Sequence, residues 1–240
     1  MGFLDLPSPA LLWADARLAV ALPSLARMIV WGGVGAALSI GLSWIISPQQ
    51  RLTRITVEER RLRIALKNEE AEIAEGLALA RSLLRLAATR IGLLLPPMLV
   101  GALPVVCLMA WLETWYGHDL PPSGQTVAVT VNPDSFHGRW VIGDGAVPRV
   151  DVVDEQGAVV QSLPILAPVP NIRKRAWWNA LIGNPLRYLP DDSPIERIEI
   201  GLSERRFLTV GPDWVRGWKA PFVGALVIGS ALLKLLFRIR

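Results

Sequence analysis

Two apolar runs without a charged residue, Met28–Ile46 and Ile91–Leu112, flank a charged stretch, Gln49–Arg90. No other feature constrains the fold of this chain as much. Each run is close to the roughly 20 residues a helix needs to cross the hydrocarbon core of a bilayer. If both span, the end of the first and the start of the second lie on one membrane face, and a helical segment between them has to fold back on itself. A third apolar run, Ala220–Phe237, is broken only by Lys234, which can reach the interface from near the helix end. With 52% hydrophobic residues and ten Trp in 240 residues, the composition fits an integral membrane protein carrying one modest soluble module. The first run begins too deep in the chain for a cleavable signal peptide, and no small-residue cleavage site follows it.

Charge predicts the orientation. Residues 51–90 together with Lys234, Arg238 and Arg240 hold twelve basic residues against six acidic ones, whereas Glu113–Lys219 holds 11 against 13. Lys and Arg are retained on the cytoplasmic side. The expected order is an N-terminal interfacial segment (1–27), a first span (28–47), a cytoplasmic hairpin (48–90), a second span (91–112), an external module (113–219), a third span (220–237) and a cytoplasmic tail (238–240). For a Gram-negative bacterium this places the chain in the inner membrane with the module in the periplasm. Trp31, Trp44, Trp111, Trp115, Tyr116, Trp214 and Trp218 lie near the span ends, where aromatic rings serve as interfacial anchors. Pro9–Ala21 reads as a short helix with Leu11, Leu12, Trp13, Leu18 and Leu22 around it and Asp15 and Arg17 on its other side, either lying in the interface or leading into the span.

The first span carries small residues at four-residue spacing, Gly33, Ala37 and Gly41, a pattern that lets helix backbones approach closely. In the hairpin, Leu52, Ile55, Leu62, Leu66, Ile73, Leu77, Ala80 and Leu84 recur mostly at steps of three, four or seven, the seam of two antiparallel helices. Pro48 opens the first arm, and Lys67-Asn68-Glu69-Glu70 is the expected tip, with Gly76 as the alternative bend. Pro96, Pro97 and Pro104 bend the second span. Between the second and third spans, Val127, Val129 and Val131, then Arg149–Val153 and Val159–Ile165 around the turn Asp154–Gly157, then Ile198, Ile200 and Leu202, read as short alternating strands of a small all-β sandwich. Arg173, Lys174 and Arg175 followed by Trp177 and Trp178 suit either an outer-leaflet contact, a grip on a partner, or a cover for the sheet.

The order of a span, the charged stretch QRLTRITVEERRLRIALKNEEAEIAEGLALARSLLRLAATR and the span LLLPPMLVGALPVVCLMAWLETWY resembles the core of the Oxa/YidC membrane-protein insertase superfamily, especially its small three-span members. In those the second span similarly has Pro-Met-Leu, a later Pro and a Trp near the outer end; here these are Pro97, Met98, Leu99, Pro104 and Trp111. The resemblance covers about residues 9–117, with the last span matching by topology alone. It implies a non-enzymatic insertase or chaperone whose spans form a client groove and whose hairpin meets the ribosome or a client. Ser39, Ser43 and Arg90 are the groove candidates. The chain departs from the family in lacking an Arg within the first span and in inserting about a hundred residues before the third. The same departures suit a structural subunit or assembly scaffold of a larger membrane complex.

The inventory for catalysis is poor: His118 and His137, the lone Cys107 within the second span, no metal-spaced cluster, no nucleophile elbow and no phosphate loop. No metal or other cofactor is expected, and no basic-aromatic groove suggests nucleic-acid recognition. The expected partners are membrane lipids and other membrane proteins, as clients or as fellow subunits.

Overall fold

The computed structural model describes residues 2–66, 73–122, 124–142 and 147–237. After a 3-10 turn at Phe3–Asp5 come helices α1 (Ser8–Leu18), α2 (Ser24–Ile46), α3 (Gln49–Leu66) and α4 (Ile73–Tyr116). A module of eight short strands follows, and the chain ends in a short helix α5 (Asp213–Arg216) and a long one, α6 (Lys219–Phe237). Among the described residues, three helical stretches are long and apolar enough to cross a membrane: Ser24–Ile46, Leu77–Tyr116 and Lys219–Phe237. The structure divides into two compact units, Met1–Val34 with Val106–Arg240, and Gly35–Val105. The β module therefore shares a unit with the N-terminal segment, the first part of α2, the end of α4 and all of α6, and is not a body apart.

Within the second unit, α3 starts directly after Pro48, whose carbonyl accepts bonds from Arg51 N (3.0 Å) and Leu52 N (3.1 Å). The expected tip, Lys67–Glu70, lies outside the described residues, and Gly76 falls inside α4. The helix α4 runs through Pro96, Pro97 and Pro104, so the expected second arm and second span form one continuous helix. Each proline deletes one backbone donor, and its 44 residues keep enough remaining bonds to hold the rod together. Arg90 Nη1 donates to Glu59 Oε2 at 3.1 Å and ties α4 to α3. Ile55 of the expected seam is buried, but Leu77 and Leu84 on the second arm are exposed. The seam predicted between the arms is thus not closed along α4.

The small-residue stripe is shifted by one position from the one read in the sequence. A Cβ on Gly33 or Gly41 meets nothing within 4 Å, and Ala37 is exposed. On Gly32, in contrast, a Cβ would lie 2.6 Å from Ala225 Cβ and 2.8 Å from the Phe222 carbonyl of α6. Spacing reveals that a stripe exists, while the partner helix decides which of two neighbouring stripes faces it. A second close approach occurs inside the other unit, where Gly101 of α4 packs against Ser39 O and Ser43 Oγ of α2.

In the β module, β2 (Val129–Asn132), β7 (Arg197–Ile200) and β6 (Asn171–Arg173) form one antiparallel sheet in the order β2-β7-β6, and β3 (His137–Val141), β4 (Arg149–Val153) and β5 (Val159–Pro164) form another in sequence order. β1 (His118–Asp119) pairs with β8 (Ser203–Glu204) beside them. Val131, Ile172, Ile198 and Ile200 from the first sheet and Trp140, Val150 and Val152 from the second share one buried core, as in a sandwich. The β4–β5 turn is held by Asp154, whose Oδ1 accepts from Gln156 N and Ala158 N, with Gly157 at φ +82°. Strands β3 and β6 were not anticipated: polar residues interrupt their alternation, as at His137–Arg139 and Asn171.

Gly32→Val is expected to destabilise the protein by ~1–3 kcal/mol through overpacking against α6, whereas Gly33→Ala leaves stability nearly unchanged. Thermal unfolding of the two purified variants in mild detergent checks this, and equal losses would refute the assigned helix contact.

Candidate functional site

Two polar places stand out in the unit that contains the β module. The first is a buried carboxylate. Asp15 of α1 is only 8% exposed. Its Oδ2 accepts from Arg27 Nη1 (2.5 Å) and from the Tyr116 hydroxyl (2.5 Å), and its Oδ1 accepts from Trp31 Nε1 (3.0 Å). Helix periodicity placed Asp15, with Arg17, on the side of α1 opposite its apolar residues. That side faces α2 and the end of α4, and the carboxylate finds one cation and two neutral donors there. A buried charge is tolerated when it is paired and its remaining lone pairs are bonded.

An aromatic cluster surrounds the carboxylate. Trp31 and Trp111 meet edge-on at 5.3 Å between ring centroids, and Trp111 and Tyr116 at 5.7 Å. Arg27 and Arg205 both approach the Tyr116 ring, at 5.4 and 5.3 Å. Trp31, Trp111 and Trp218 are therefore buried in protein, a correction to their reading as interfacial anchors; Trp44 and Trp214 remain exposed. A large ring placed near a span end is also well suited to fill a packed junction, and sequence position cannot separate the two uses. Asp15 with Arg27 was the readable signal: an acid and a base flanking an apolar run are candidates to pair.

The second place is a cavity of about 240 Å³ where the end of α4 meets the loop after β6. Glu113, Thr114 and His118 line it from one side; Arg173, Trp178 and Tyr188 line it from the other. Its walls are fixed by hydrogen bonds. Asn179 is buried, its Oδ1 accepting from Ala176 N at 2.7 Å and its Nδ2 donating to Ile182 O at 3.2 Å. Asn184 Nδ2 donates to Asn171 O (2.8 Å), and Asn184 N donates to Tyr188 Oη (3.0 Å). The Arg173 guanidinium lies 4.6 Å from the Trp178 ring centre. Lys219 Nζ is 3.3 Å from Glu113 Oε2. Buried His118 Nδ1 has no hydrogen-bond partner among the described residues. The cavity thus presents a guanidinium, an imidazole and a carboxylate together.

The basic-aromatic segment divides in two. Arg173 and Trp178 turn to the cavity, while Arg175 and Trp177 are exposed, Trp177 by 85%. Lys174 Nζ donates to Asp191 O at 3.0 Å. The N-terminal 3-10 turn docks beside this segment: Leu4 N donates to Leu181 O (2.9 Å), and Gly183 N donates to Asp5 Oδ2 (2.6 Å). Of the groove candidates, Ser39 and Ser43 lie together against α4, and Arg90 is engaged elsewhere. Ser43 Oγ donates to Pro97 O at 3.2 Å, Ser39 backs the close approach of Gly101, and Arg90 pairs with Glu59. Among the described residues, no group of three His, Cys, Asp or Glu side chains is placed to hold a metal. No known protein family, curated protein or solved structure matches the chain.

Replacing Asp15 by Ala leaves the Arg27 charge buried and unpaired, and a loss of ~3–5 kcal/mol is expected. The double variant Asp15→Ala with Arg27→Met should recover a large part of it. Denaturation of the single and double variants in detergent measures the coupling, and strict additivity would show that the pair contributes nothing.

Proposed function

We propose that this chain is a non-enzymatic membrane protein that receives transmembrane helices of other proteins, as an insertase or chaperone of the bacterial inner membrane. One observation carries the reading. The three apolar helices bury little of themselves, 22% of the α2 span, 17% of that in α4 and 6% of that in α6. In a bilayer such faces meet lipid or another protein's helices, and helix association there rests on close packing and on bonds between helices. The N-terminus and β module lie outside, the segment around α3 and the C-terminus lie in the cytoplasm, and α3 with the start of α4 forms a hairpin that meets the ribosome or a client. Arg51, Arg54, Arg60 and Arg61 leave that helix strongly basic and exposed.

A second reading, a structural subunit or assembly scaffold of a larger membrane complex, is favoured by the use of Ser39 and Ser43 in packing against α4 and by the absence of an Arg inside the first apolar run. Two of the three groove candidates, Ser39 and Ser43, then serve the fold, and the uncovered helices serve permanent neighbours.

Pull-down of the tagged protein from native membranes in mild detergent, with mass spectrometry of what is retained, separates the two. Ribosomal proteins, targeting factors and many substoichiometric membrane proteins are expected for an insertase. A fixed stoichiometric set points to a scaffold, and isolation as a lone chain would count against both.

A further inference from the structure

The cavity at the end of α4 lies beside an apolar surface that is exposed among the described residues. Phe3 and Leu6 from the N-terminal turn and Trp177, Leu181 and Ile182 from the loop after β6 are all exposed. The Leu4–Leu181 and Asp5–Gly183 hydrogen bonds hold the two segments together. Ile182 and Gly183 belong at once to this surface and to the cavity wall. The surface adjoins the last turn of an apolar helix of spanning length, which places it at the level where a bilayer's headgroups begin.

We propose that this cavity binds the headgroup of a zwitterionic phospholipid with a primary amine, phosphatidylethanolamine, while the neighbouring apolar residues rest on its acyl region. The chemistry follows from the charges. Arg173, preoriented over Trp178, faces the phosphate, for which a guanidinium is the best-matched side chain. Glu113, already engaged by one ammonium through Lys219, accepts a second from the lipid amine. A quaternary choline has no N–H to give this carboxylate, and a glycerol headgroup has no cation. The volume, about 240 Å³, lies below the roughly 300–1,000 Å³ of sites for drug-sized ligands and suits a headgroup.

This inference rests on the membrane-spanning reading above. The test uses the full chain in nanodiscs of mixed phosphatidylethanolamine, phosphatidylcholine and phosphatidylglycerol, released into native mass spectrometry to compare retained lipids. The expected result is preferential retention of phosphatidylethanolamine, reduced about tenfold or more in Arg173→Ala, as for loss of a charge-assisted bond. Glu113→Gln should instead shift the preference toward phosphatidylglycerol, a change that general destabilisation does not produce. Equal retention of the three lipids, or selectivity unchanged in both variants, overturns the proposal. So does soluble phosphoethanolamine binding the detergent-solubilised protein while no lipid is preferred. Alkaline carbonate extraction separates the failures: a chain released by carbonate defeats the spanning reading as well, whereas a chain that resists carbonate without lipid selectivity defeats only this inference.

Discussion

The buried Asp15 carboxylate is the interaction on which the junction of helices and β module depends. Its three side-chain partners lie 12, 16 and 101 residues away along the chain, so one group joins α1, the beginning of α2 and the end of α4. Removing a carboxylate from water is costly, and the cost is offset only when a cation and further donors are held in place. Here the donors are held by aromatic packing. Trp31 and Tyr116 are each bonded to the carboxylate and packed edge-on against Trp111, so the polar contact and the apolar cluster fix each other. Arg205, just after β8, reaches the same Tyr116 ring and brings the β module into the arrangement.

With that junction fixed, the module presents its β6 loop to the end of α4 and closes the cavity between Arg173 and Glu113. The N-terminal turn adds a further strap across the same loop through Asp5. The polar cavity and the exposed apolar residues beside it are therefore consequences of one local packing scheme. Both lie beside the end of α4, whose stretch Leu77–Tyr116 is long and apolar enough to cross a membrane.

The helices contrast with this junction. Between α2 and α4 the contacts are backbone-close and small-residue-based, at Gly101 against Ser39 and Ser43. Van der Waals contact and a hydroxyl-to-carbonyl bond are the means of association open to helices in lipid, where no hydrophobic gain remains. Wide apolar faces are left exposed on α4 and α6.

Much of the fold was legible in the sequence because its signals are local. Uncharged length marked the three apolar helices, alternation marked β2, β4, β5 and β7, and Asp154 with Gly157 marked the hairpin turn. Proline in α4 read as a bend, yet the helix continues through it from the charged arm. The candidate site was legible only in part: Arg173 and Trp178 were singled out, but His118 and Glu113 were not joined to them, since about sixty residues separate the two sets. The sequence by itself determined which segments are apolar enough to leave water and which are charged enough to stay in it, because burial free energy is set by composition and period. Only the tertiary structure decided that Gly32 rather than Gly33 faces α6, that Trp31, Trp111 and Trp218 are buried in protein, and that Asp15 turns inward. Each of those depends on the phase of one element against another, and phase is fixed by the partner surface that packing brings to it.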